Sequence, residues 1–396
     1  MESSIFINKT FSPKKLGKTN MFMKNVFIKA ATFEGMYKNG IPTEKLIAHH
    51  VAMAKGDVAL TTVSYGAVSE HARTFKDQMY INDRSLEKLK TLALKVHAAG
   101  GKISMQLTHC GYFTKNNQVK NPLAPSRVFN EYGFISGIMF SKAMTLEDMD
   151  QVSNQFANAA LRLKKIGFDA VEIHMGHGYL LSQFLSPYTN KRKDEYGGII
   201  ENRSRFPLEV LSKVIDRVGR GFPVLVKLNL SDGFKKGFSL DDCKYVSKRL
   251  GKAGCTAIVL SGGFTSKTPF YLMRGDIPLA GLIKNGSSFA ERITMTFFGP
   301  IIIKHYKFSS NFFLDQAKEI RKHVDMPLVY LGGVDSKKGI KEIIKAGFDF
   351  IAIARALIHD SDFLIKIKNN EIETSGCTRC NKCVVEMDRD GVRCVI

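Results

Sequence analysis

The sequence has no apolar run as long as the roughly 18 residues that a membrane-spanning helix requires. It is also poor in acidic residues, because 37 Asp and Glu stand against 58 Lys and Arg, for a formal net charge of +21. The basic residues are scattered along predicted helix faces without clustering. We therefore interpret them as a solvated surface and expect neither a nucleic-acid nor a membrane partner. The N-terminal segment lacks a signal-peptide pattern, so we expect a cytoplasmic protein.

Cysteine is scarce as well. Seven residues in a chain of 396 are too few for a disulfide framework and indicate a reducing compartment. Three are interpreted as small buried hydrophobic residues, namely Cys110, Cys243 and Cys255. The other four crowd the C-terminus and define a separate Cys-rich tail: Cys377, Cys380, Cys383 and Cys394.

Short apolar segments alternate with helical patterns along the whole chain. Eight strands are predicted: VFIKAA from Val26, VALTTVS from Val58, KISMQL from Lys102, AVEIH from Ala170, VLVKLN from Val224, AIVLSGG from Ala257, PLVYLGG from Pro327 and FIAIAR from Phe350. The segments between them place apolar residues every three or four positions, and several end in Gly, as helices do. This alternation predicts a parallel sheet covered on both faces.

An α/β (β/α)8 TIM barrel is the predicted fold, with an open doubly wound sheet as the competing architecture. The first strand is followed by no Gly-rich dinucleotide loop, and eight β-α units favour closure. Long excursions follow strands 3 and 6, at about residues 108–142 and 264–310. Both begin at the face where such barrels build active sites, so they predict pocket walls. The predicted division is a barrel over residues 1–371 and the tail over 372–396.

The fourth predicted strand carries the most specific polar group in the sequence. His174 ends this strand, and His177 and Tyr179 follow within five residues. A single His on an apolar strand is more often a hydrogen-bonded core residue than a catalyst. Three titratable groups at one strand end are harder to explain as packing, and they indicate a reactive site.

The segment from Val171, VEIHMGHGYLLSQFLSPYTNKRKDEYGGIIENRSRF, strongly resembles the old yellow enzyme family of FMN-dependent ene-reductases. This family includes the related N-terminal half of 2,4-dienoyl-CoA reductase. Further blocks match in the same order: KNVFIKAATFEGM at Lys24, MQLTHCGY at Met105, APS at Ala124, VKLNLSDG at Val226, LGGV at Leu331 and AIARALIHDSDF at Ala352. The resemblance covers most of the chain.

The resemblance implies an FMN site at the ends of the strands. It places the flavin ring against Ala30, Ala31 and Thr32, and it gives Gln106 a hydrogen bond to the pyrimidine edge. Lys227 stands where many members have Arg and would stabilise the anionic reduced flavin. The phosphate would be held by the ends of strands 7 and 8, through Gly332, Gly333, Ala354 and Arg355.

The sequence departs from the family at one position beside the flavin. A Thr or Cys commonly lies near flavin O4 and N5, and Phe33 occupies that position here. Thr32 lies one residue earlier, so a local shift of the backbone would restore a hydroxyl group to this place.

The resemblance further implies a reaction in two halves. NADH or NADPH would reduce the flavin, which would then reduce the activated C=C bond of an α,β-unsaturated carbonyl compound. His174 and His177 would donate hydrogen bonds to the substrate oxygen, and Tyr179 would protonate the α-carbon. We therefore expect a small-molecule substrate, and the sequence leaves a homo-oligomer open.

The four tail cysteines have a spacing that suits zinc or an iron–sulfur cluster, and the dienoyl-CoA reductase branch carries a cluster near this point. The gaps differ from that branch, and this sequence has no following electron-donor domain. A metal-free tail is therefore favoured over a metal site, and we expect the tail to be dispensable for flavin reduction.

Two other functions remain open at this point. An FMN barrel acting on RNA, as in dihydrouridine synthases, would suit the positive charge, but that family uses a Cys acid in a different motif. A catalytically idle flavoprotein or metal-binding module would keep the barrel as a scaffold. The intact His174, His177 and Tyr179 argue against it.

Overall fold

The barrel is built from eight parallel strands that follow one another in sequence order and close between the eighth and the first. In a computed structural model, residues 2–286 and 288–396 are described, and they contain these strands: β1 Phe27–Lys29, β2 Leu60–Ala67, β3 Lys102–Thr108, β4 Ala170–Met175, β5 Val224–Asn229, β6 Ala257–Ser261, β7 Leu328–Leu331 and β8 Phe350–Ile353. All eight strands coincide with predicted segments, so the predicted (β/α)8 barrel is confirmed and the open sheet is excluded.

Helices connect the strands and surround the barrel. In chain order they are α1 Glu2–Thr10, α2 Glu44–Lys55, α3 Asp83–Ala98, α4 Leu146–Lys165, α5 Leu180–Leu185, α6 Ile200–Arg203, α7 Arg205–Val218, α8 Leu240–Lys252, α9 Leu279–Lys284, α10 Phe289–Ile302, α11 Leu314–Arg321, α12 Lys337–Lys345, α13 Arg355–His359, α14 Phe363–Lys368 and α15 Lys382–Glu386. In the described part of the chain, none of these helices combines the length and hydrophobicity needed to cross a bilayer.

Local sequence fixes where the main helices begin. Reciprocal capping boxes open α3, α4 and α8, the last through Ser239 and Asp242. Each box satisfies backbone N–H groups that would otherwise lack a partner at the helix N-terminus. The strands are buried along nearly their whole length because helices cover one side and the barrel core fills the other. Cys110, Cys243 and Cys255 are buried, as predicted.

The two excursions lie where the sequence predicted them. The first contains a two-stranded sheet, Leu123–Ala124 with Lys142–Ala143, and the short 3-10 helix Phe134–Ser136. The second contains α9 and α10. Two further two-stranded sheets lie near the N-terminus, Lys14–Lys15 with Phe22–Met23 and Tyr37–Lys38 with Ile41–Pro42.

The Cys-rich tail is packed against the barrel. The Ser375 N–H donates to the Asp335 carbonyl oxygen at 2.8 Å, and the Val392 N–H donates to the Glu34 carbonyl oxygen at 2.7 Å. Val385 on α15 is buried. The tail therefore shares hydrogen bonds with the segments that follow β1 and β7, and Val385 packs beside Gly281 of α9.

Candidate active site

One cavity of about 310 Å³ opens at the C-terminal ends of the barrel strands. Its lining includes every residue that the sequence singled out for the cofactor or for catalysis: Ala30, Ala31, Thr32, Gln106, His174, His177, Tyr179, Lys227, Gly332, Gly333, Ala354 and Arg355. These residues come from six of the eight strands or the turns after them. The fold therefore brings together groups that lie far apart in the sequence.

Strand register explains how the polar residues of the middle strands meet. Glu172 on β4 pairs with Gln106 on β3, and His174 pairs with Lys227 on β5. Residues two apart on a strand face the same side, so Glu172 and His174 both face the interior. Parallel strands present their carboxyl ends at one face, where His174 reaches the cavity.

Lys227 is held by an ion pair that the sequence did not predict. Its Nζ lies 3.1 Å from Glu172 Oε1 and donates to the Ala31 carbonyl oxygen at 3.3 Å. Gln106 Nε2 donates to the same Glu172 oxygen at 2.6 Å. All three side chains are buried. Glu172 therefore fixes both the amide and the ammonium that face the cavity, and it offsets the charge of Lys227.

A second buried ion pair lies at β1, which pairs with β8 and β2. Lys29 on β1 donates to Glu34, and His50 Nε2 lies 3.5 Å from the same carboxylate. Burial alone would raise the pKa of Glu34, but Lys29 and His50 outweigh it and lower the pKa to about 2. Glu34 also accepts from the Ser64 N–H at 2.8 Å, which ties the pair to the cavity wall.

The other end of the cavity suits an anion. Gly332 and Gly333 have φ values of 139° and 76°, and a Cβ on either would come within 2.7 Å of Phe313 or Phe312. Only glycine fits this turn, which leaves a region of backbone without side chains beside the cavity. Arg355, which follows the adjacent strand β8, also lines the cavity, and its Nη1 donates to Asn381 Oδ1 at 2.8 Å.

Two residues at this end were missed by the sequence analysis. Arg379 and Asp335 both line the cavity, and they form an ion pair. Arg379 has a positive φ of 64°. It belongs to the tail, and no nearby motif marks it as a cofactor residue. Its ion pair leaves the net positive charge at this end to Arg355.

The residues present fit FMN. The Oγ1 of Thr32 is buried at the cavity wall and has no hydrogen-bond partner among the described residues, so it is available to a ligand. A buried ammonium and amide lie at one end of the cavity, and a glycine turn with an arginine lies at the other. This arrangement matches a polar-edged ring joined to a phosphate.

His174, His177 and Tyr179 form a compact group. The ring centroids of His174 lie 4.9 Å from His177 and 4.7 Å from Tyr179. His174 Nδ1 accepts the Gly176 N–H at 3.3 Å, and His177 Nε2 lies 2.7 Å from Ser261 Oγ. Burial lowers the pKa of His177 to about 3 and that of His174 well below its ordinary value. Both imidazoles are therefore neutral near pH 7.

Tyr179 has a hydroxyl partner that the sequence analysis missed. Its OH donates to the OH of Tyr65 at 2.8 Å. Burial raises the pKa of Tyr179 well above its ordinary value and raises that of Tyr65 to about 12. Tyr65 lies near the end of β2, so its position at a strand end was the available signal. The two phenols remain protonated and form a short hydrogen-bonded chain.

Aromatic rings form the substrate side of the cavity. Phe33 packs against Tyr65 with centroids 5.3 Å apart, and Phe113 stacks on Tyr132 at 4.2 Å. The structure thus places Phe33 in this aromatic wall, whereas Thr32 keeps the unpartnered hydroxyl. Of the four aromatic residues in this wall, the sequence analysis had singled out only Phe33. The excursion after β3 supplies Phe113 and Tyr132, which supports its prediction as a pocket wall.

The tail also contributes to the cavity. Cys377 and Cys383 line it, and burial raises the pKa of Cys383 to about 11. His359 Nδ1 lies 3.3 Å from Cys394 Sγ. Among residues 2–286 and 288–396, no three His, Cys, Asp or Glu side chains are arranged to hold a metal ion. The metal-free tail stays a prediction, and metal analysis of protein prepared without oxygen tests it.

Comparisons with known proteins show the family to which the chain belongs. The sequence model of the NADH:flavin oxidoreductase / NADH oxidase family matches residues 9–258. The 4,4'-dithiodibutanoate disulfide reductase of Rhodococcus erythropolis is 36% identical over 389 residues, which cover 98% of this chain and 94% of that protein. The NADH oxidase of Thermoanaerobacter brockii is 28% identical over 350 residues, which cover 87% of this chain and 48% of that relative.

A solved structure agrees with the fold. The old yellow enzyme from Pichia sp. AKU4542 superposes with a TM-score of 0.72 at 24% identity, over 94% of this chain and 90% of that one. At this identity the likeness concerns the fold, and the matched length includes nearly the whole barrel.

Proposed function

Because the chain belongs to the NADH:flavin oxidoreductase / NADH oxidase family and is an FMN-dependent NAD(P)H oxidoreductase of the old yellow enzyme type, we propose that it reduces the activated C=C bond of α,β-unsaturated carbonyl compounds. FMN held by these residues would supply the hydride chemistry that links NAD(P)H to the β-carbon of the substrate. A proton adds to the α-carbon, so the net reaction consumes one NAD(P)H and one proton for each double bond.

The observation that carries this proposal is the meeting of two neutral imidazoles and a protonated phenol in one aromatic cavity. Negative charge develops on the carbonyl oxygen as the β-carbon gains hydride, and N–H donors stabilise that charge. His174 accepts a backbone N–H at Nδ1, so its proton lies on Nε2 and can be donated to the substrate. Ser261 would fix His177 in the same way by donating to its Nε2, which leaves the Nδ1 proton for the substrate.

Tyr179 is the proposed proton donor. Its raised pKa keeps the proton on the phenol until the α-carbon becomes basic. When Tyr179 gives up this proton, the hydroxyl of Tyr65 at 2.8 Å can rotate and donate to the new phenolate. This hydrogen bond would stabilise the phenolate of Tyr179, so no cation is needed beside it. Tyr65 is therefore a positioning residue for the transfer.

A second candidate reaction is favoured by one comparison. The relative that reduces 4,4'-dithiodibutanoate matches nearly the full length of this chain. A disulfide substrate would gain two electrons and two protons and leave as two thiols. His174, His177 and Tyr179 would then donate protons or hydrogen bonds to the leaving thiolates. The same residues would serve both reactions, which differ in the atom that receives hydride.

An anaerobic titration separates the two reactions. The purified protein is first reduced with NADH or NADPH, and then mixed with 2-cyclohexenone or with 4,4'-dithiodibutanoate. Fast recovery of the oxidised flavin absorbance with the enone supports the proposal, and recovery with the disulfide alone replaces it by the second candidate. Release of the chromophore as FAD would contradict the FMN site itself.

A further inference from the structure

Helix α10 exposes an unusually apolar surface. Six of its large apolar side chains are exposed: Phe289, Ile293, Phe297, Phe298, Ile301 and Ile302. Four of them recur at every fourth position, and we call this row, Phe289, Ile293, Phe297 and Ile301, the α10 stripe. Phe297 and Ile301 are 69% and 80% exposed. Regular helical spacing aligns them along one face, and a patch of this kind marks an interaction site.

Contacts on the opposite side hold this helix in place. A Cβ on Gly299 would lie 2.9 Å from Leu279 Cδ1, so α9 and α10 pack closely at that point. Glu291 pairs with Lys115 of the first excursion. Asn285, just before α10, donates through Nδ2 to the Val385 carbonyl oxygen of the tail at 2.6 Å. The stripe is thus the outer face of an anchored helix.

The surface at the C-terminal end of α10 is basic. A depression of about 810 Å³ lies there, and its basic lining residues are Lys235, Lys267, Lys304 and His305. Its described lining includes no Asp or Glu. Lys267 lies 2.7 Å from Glu131, which offsets its charge, so Lys235 and Lys304 supply the net positive potential. An apolar row beside a cationic depression is complementary to an anionic amphiphile.

The net charge of the chain and the length of α10 indicate which partner covers the α10 stripe. A second copy of this chain would bring another net charge of +21 against the same basic rim, which opposes self-association. The 14 residues of α10 extend about 21 Å, short of the roughly 30 Å of a bilayer core, so the helix fits in the plane of an interface. Exposed Phe and Ile beside Lys are typical of interfacial helices.

We propose that α10 docks this protein on the surface of an anionic lipid bilayer. The α10 stripe enters the region between headgroups and acyl chains, and Lys235 and Lys304 contact lipid phosphates. The sequence-based expectation of no membrane partner rested on the lack of a spanning segment, and an interfacial helix needs none. The proposal does not depend on the proposed reaction, because lipid binding involves none of the catalytic residues.

Vesicle flotation tests this proposal. The flavin-loaded full chain is mixed with vesicles of phosphatidylcholine and phosphatidylglycerol in equal parts, and with vesicles of phosphatidylcholine alone. We expect flotation with the anionic vesicles, weakening as salt is added. Phe297→Ser with Ile301→Ser should weaken vesicle binding at least roughly tenfold, because two large apolar side chains no longer enter the bilayer. Lys235→Glu with Lys304→Glu should weaken it as well.

A matched control uses exposed apolar residues elsewhere on the surface. Leu94 and Ile199 are 61% and 64% exposed, and Leu94→Ser with Ile199→Ser should float like the wild type. Unchanged thermal melting would show that each variant is folded. Failure of the wild type to float, or equal loss in the control, would overturn the proposal. So would a concentration-dependent dimer that Phe297→Ser with Ile301→Ser abolishes, since the stripe would then be a self-association surface.

Discussion

At the scale of single residues, the proposed role of Tyr179 as proton donor concerns only the half-reaction in which the substrate is reduced. Tyr179→Phe should leave flavin reduction by NAD(P)H nearly intact, because that half needs no proton from this side chain. The second half should slow by about 10²–10⁴-fold, as is typical of losing a positioned proton donor. Anaerobic stopped-flow measurement of each half-reaction checks this outcome.

Tyr65→Phe provides the matched control for Tyr179. It removes the hydroxyl that lies 2.8 Å from Tyr179 but leaves the donor in place, so the second half-reaction should slow less. Equal damage to both half-reactions in Tyr179→Phe would identify Tyr179 as a structural or flavin-binding residue. An undamaged second half would mean that the proton comes from another group.

Glu172 is expected to set the reduction potential of the flavin through Lys227. Glu172→Gln keeps the shape and an acceptor for Gln106 but removes the negative charge 3.1 Å from Lys227 Nζ. The anionic reduced flavin is then stabilised, so the potential should rise. A change of about 1.4 kcal/mol corresponds to about 30 mV for a two-electron couple. Redox titration against a reference dye measures this rise.

The control for this prediction is Glu147→Gln on α4, an exposed carboxylate outside the cavity lining. It should leave the potential unchanged. If Glu172→Gln lowered the potential or left it unchanged, the charge of Lys227 would not stabilise the reduced flavin. Glu172 would then only orient Gln106.

Residues at strand ends were predictable, and their partners were not. His174 ends a predicted apolar strand, so its position placed it at the carboxyl face of the barrel, whereas Lys227 lies inside the fifth strand and was assigned to the flavin by the family resemblance. Arg379 reaches the same cavity because of contacts that no local pattern encodes. Arg379 pairs with Asp335 across 44 residues of chain. Sequence spacing predicts which face a residue is on, but packing determines which distant side chain it meets.

At the scale of elements, Arg203 joins the segment after β4 to helix α8. Its Nη2 donates to Asp242 Oδ1 at 2.9 Å, its Nε donates to the Gly198 carbonyl oxygen at 3.0 Å, and it also contacts the end of α5. Asp242 is in turn part of the capping box of α8. The two side chains of this ion pair are 7% and 15% exposed.

Arg203→Met should therefore reduce the apparent free energy of unfolding by about 3 kcal/mol, because it leaves a nearly buried carboxylate without its partner. Arg205→Met is the matched control. Its ion pair with Glu195 spans 3.8 Å between side chains that are 43% and 62% exposed, and it should contribute at most about 1 kcal/mol. Urea unfolding of both variants checks the difference. Equal decreases in the free energy of unfolding would mean that the change in helix propensity, and not the buried ion pair, causes the loss.

The eight strands were predictable because each is a short apolar run between turn residues, and a parallel barrel buries such runs on both sides. The excursions were predictable only as long connections. Helix α10 lies inside one of them, and its apolar side chains faced no predicted partner. The strands Tyr37–Lys38 and Ile41–Pro42 are each two residues long, which is too short for an alternating pattern to predict them.

At the scale of the whole molecule, the predicted tail is distinct in sequence but packs against the barrel. Asn381 of the tail accepts from Arg355 at 2.8 Å, and Cys377 and Cys383 form part of the cavity wall. The expectation that the tail is dispensable for flavin reduction stays a prediction, although these contacts argue against it. Composition marked the tail as distinct, but composition does not report where a segment packs.

Stability should depend on pH through buried histidines, because burial lowers their pKa in the folded state. His109 and His177 both have a pKa of about 3, against an ordinary value of 6.5. Between these values the unfolded chain binds a proton at each histidine and the folded chain does not. Their contribution to the free energy of unfolding is therefore complete above pH 6.5 and is lost as the pH falls toward 3. Each contributes about 1.4 kcal/mol per pH unit.

One group opposes this trend over a narrower range. Burial raises the pKa of Asp232 to about 6, so the folded chain binds its proton before the unfolded chain does. Asp232 thus increases the free energy of unfolding as pH falls from about 6 to 4, and this gain offsets the loss from one histidine over that range. The wild type should still lose stability on acidification, because the pKa values of His49, His50 and His174 are also lowered by burial.

His109→Asn isolates one of these titrations. The Nδ1 of His109 accepts the Gly111 N–H at 3.0 Å, and an Asn side-chain oxygen can replace that acceptor without titrating. At pH 8 the variant should differ from the wild type by a fixed packing cost. Below pH 6.5 its stability should fall less steeply, by about 1.4 kcal/mol per pH unit. Urea unfolding at a series of pH values measures both slopes, and parallel slopes would mean that His109 titrates alike in the folded and unfolded chains.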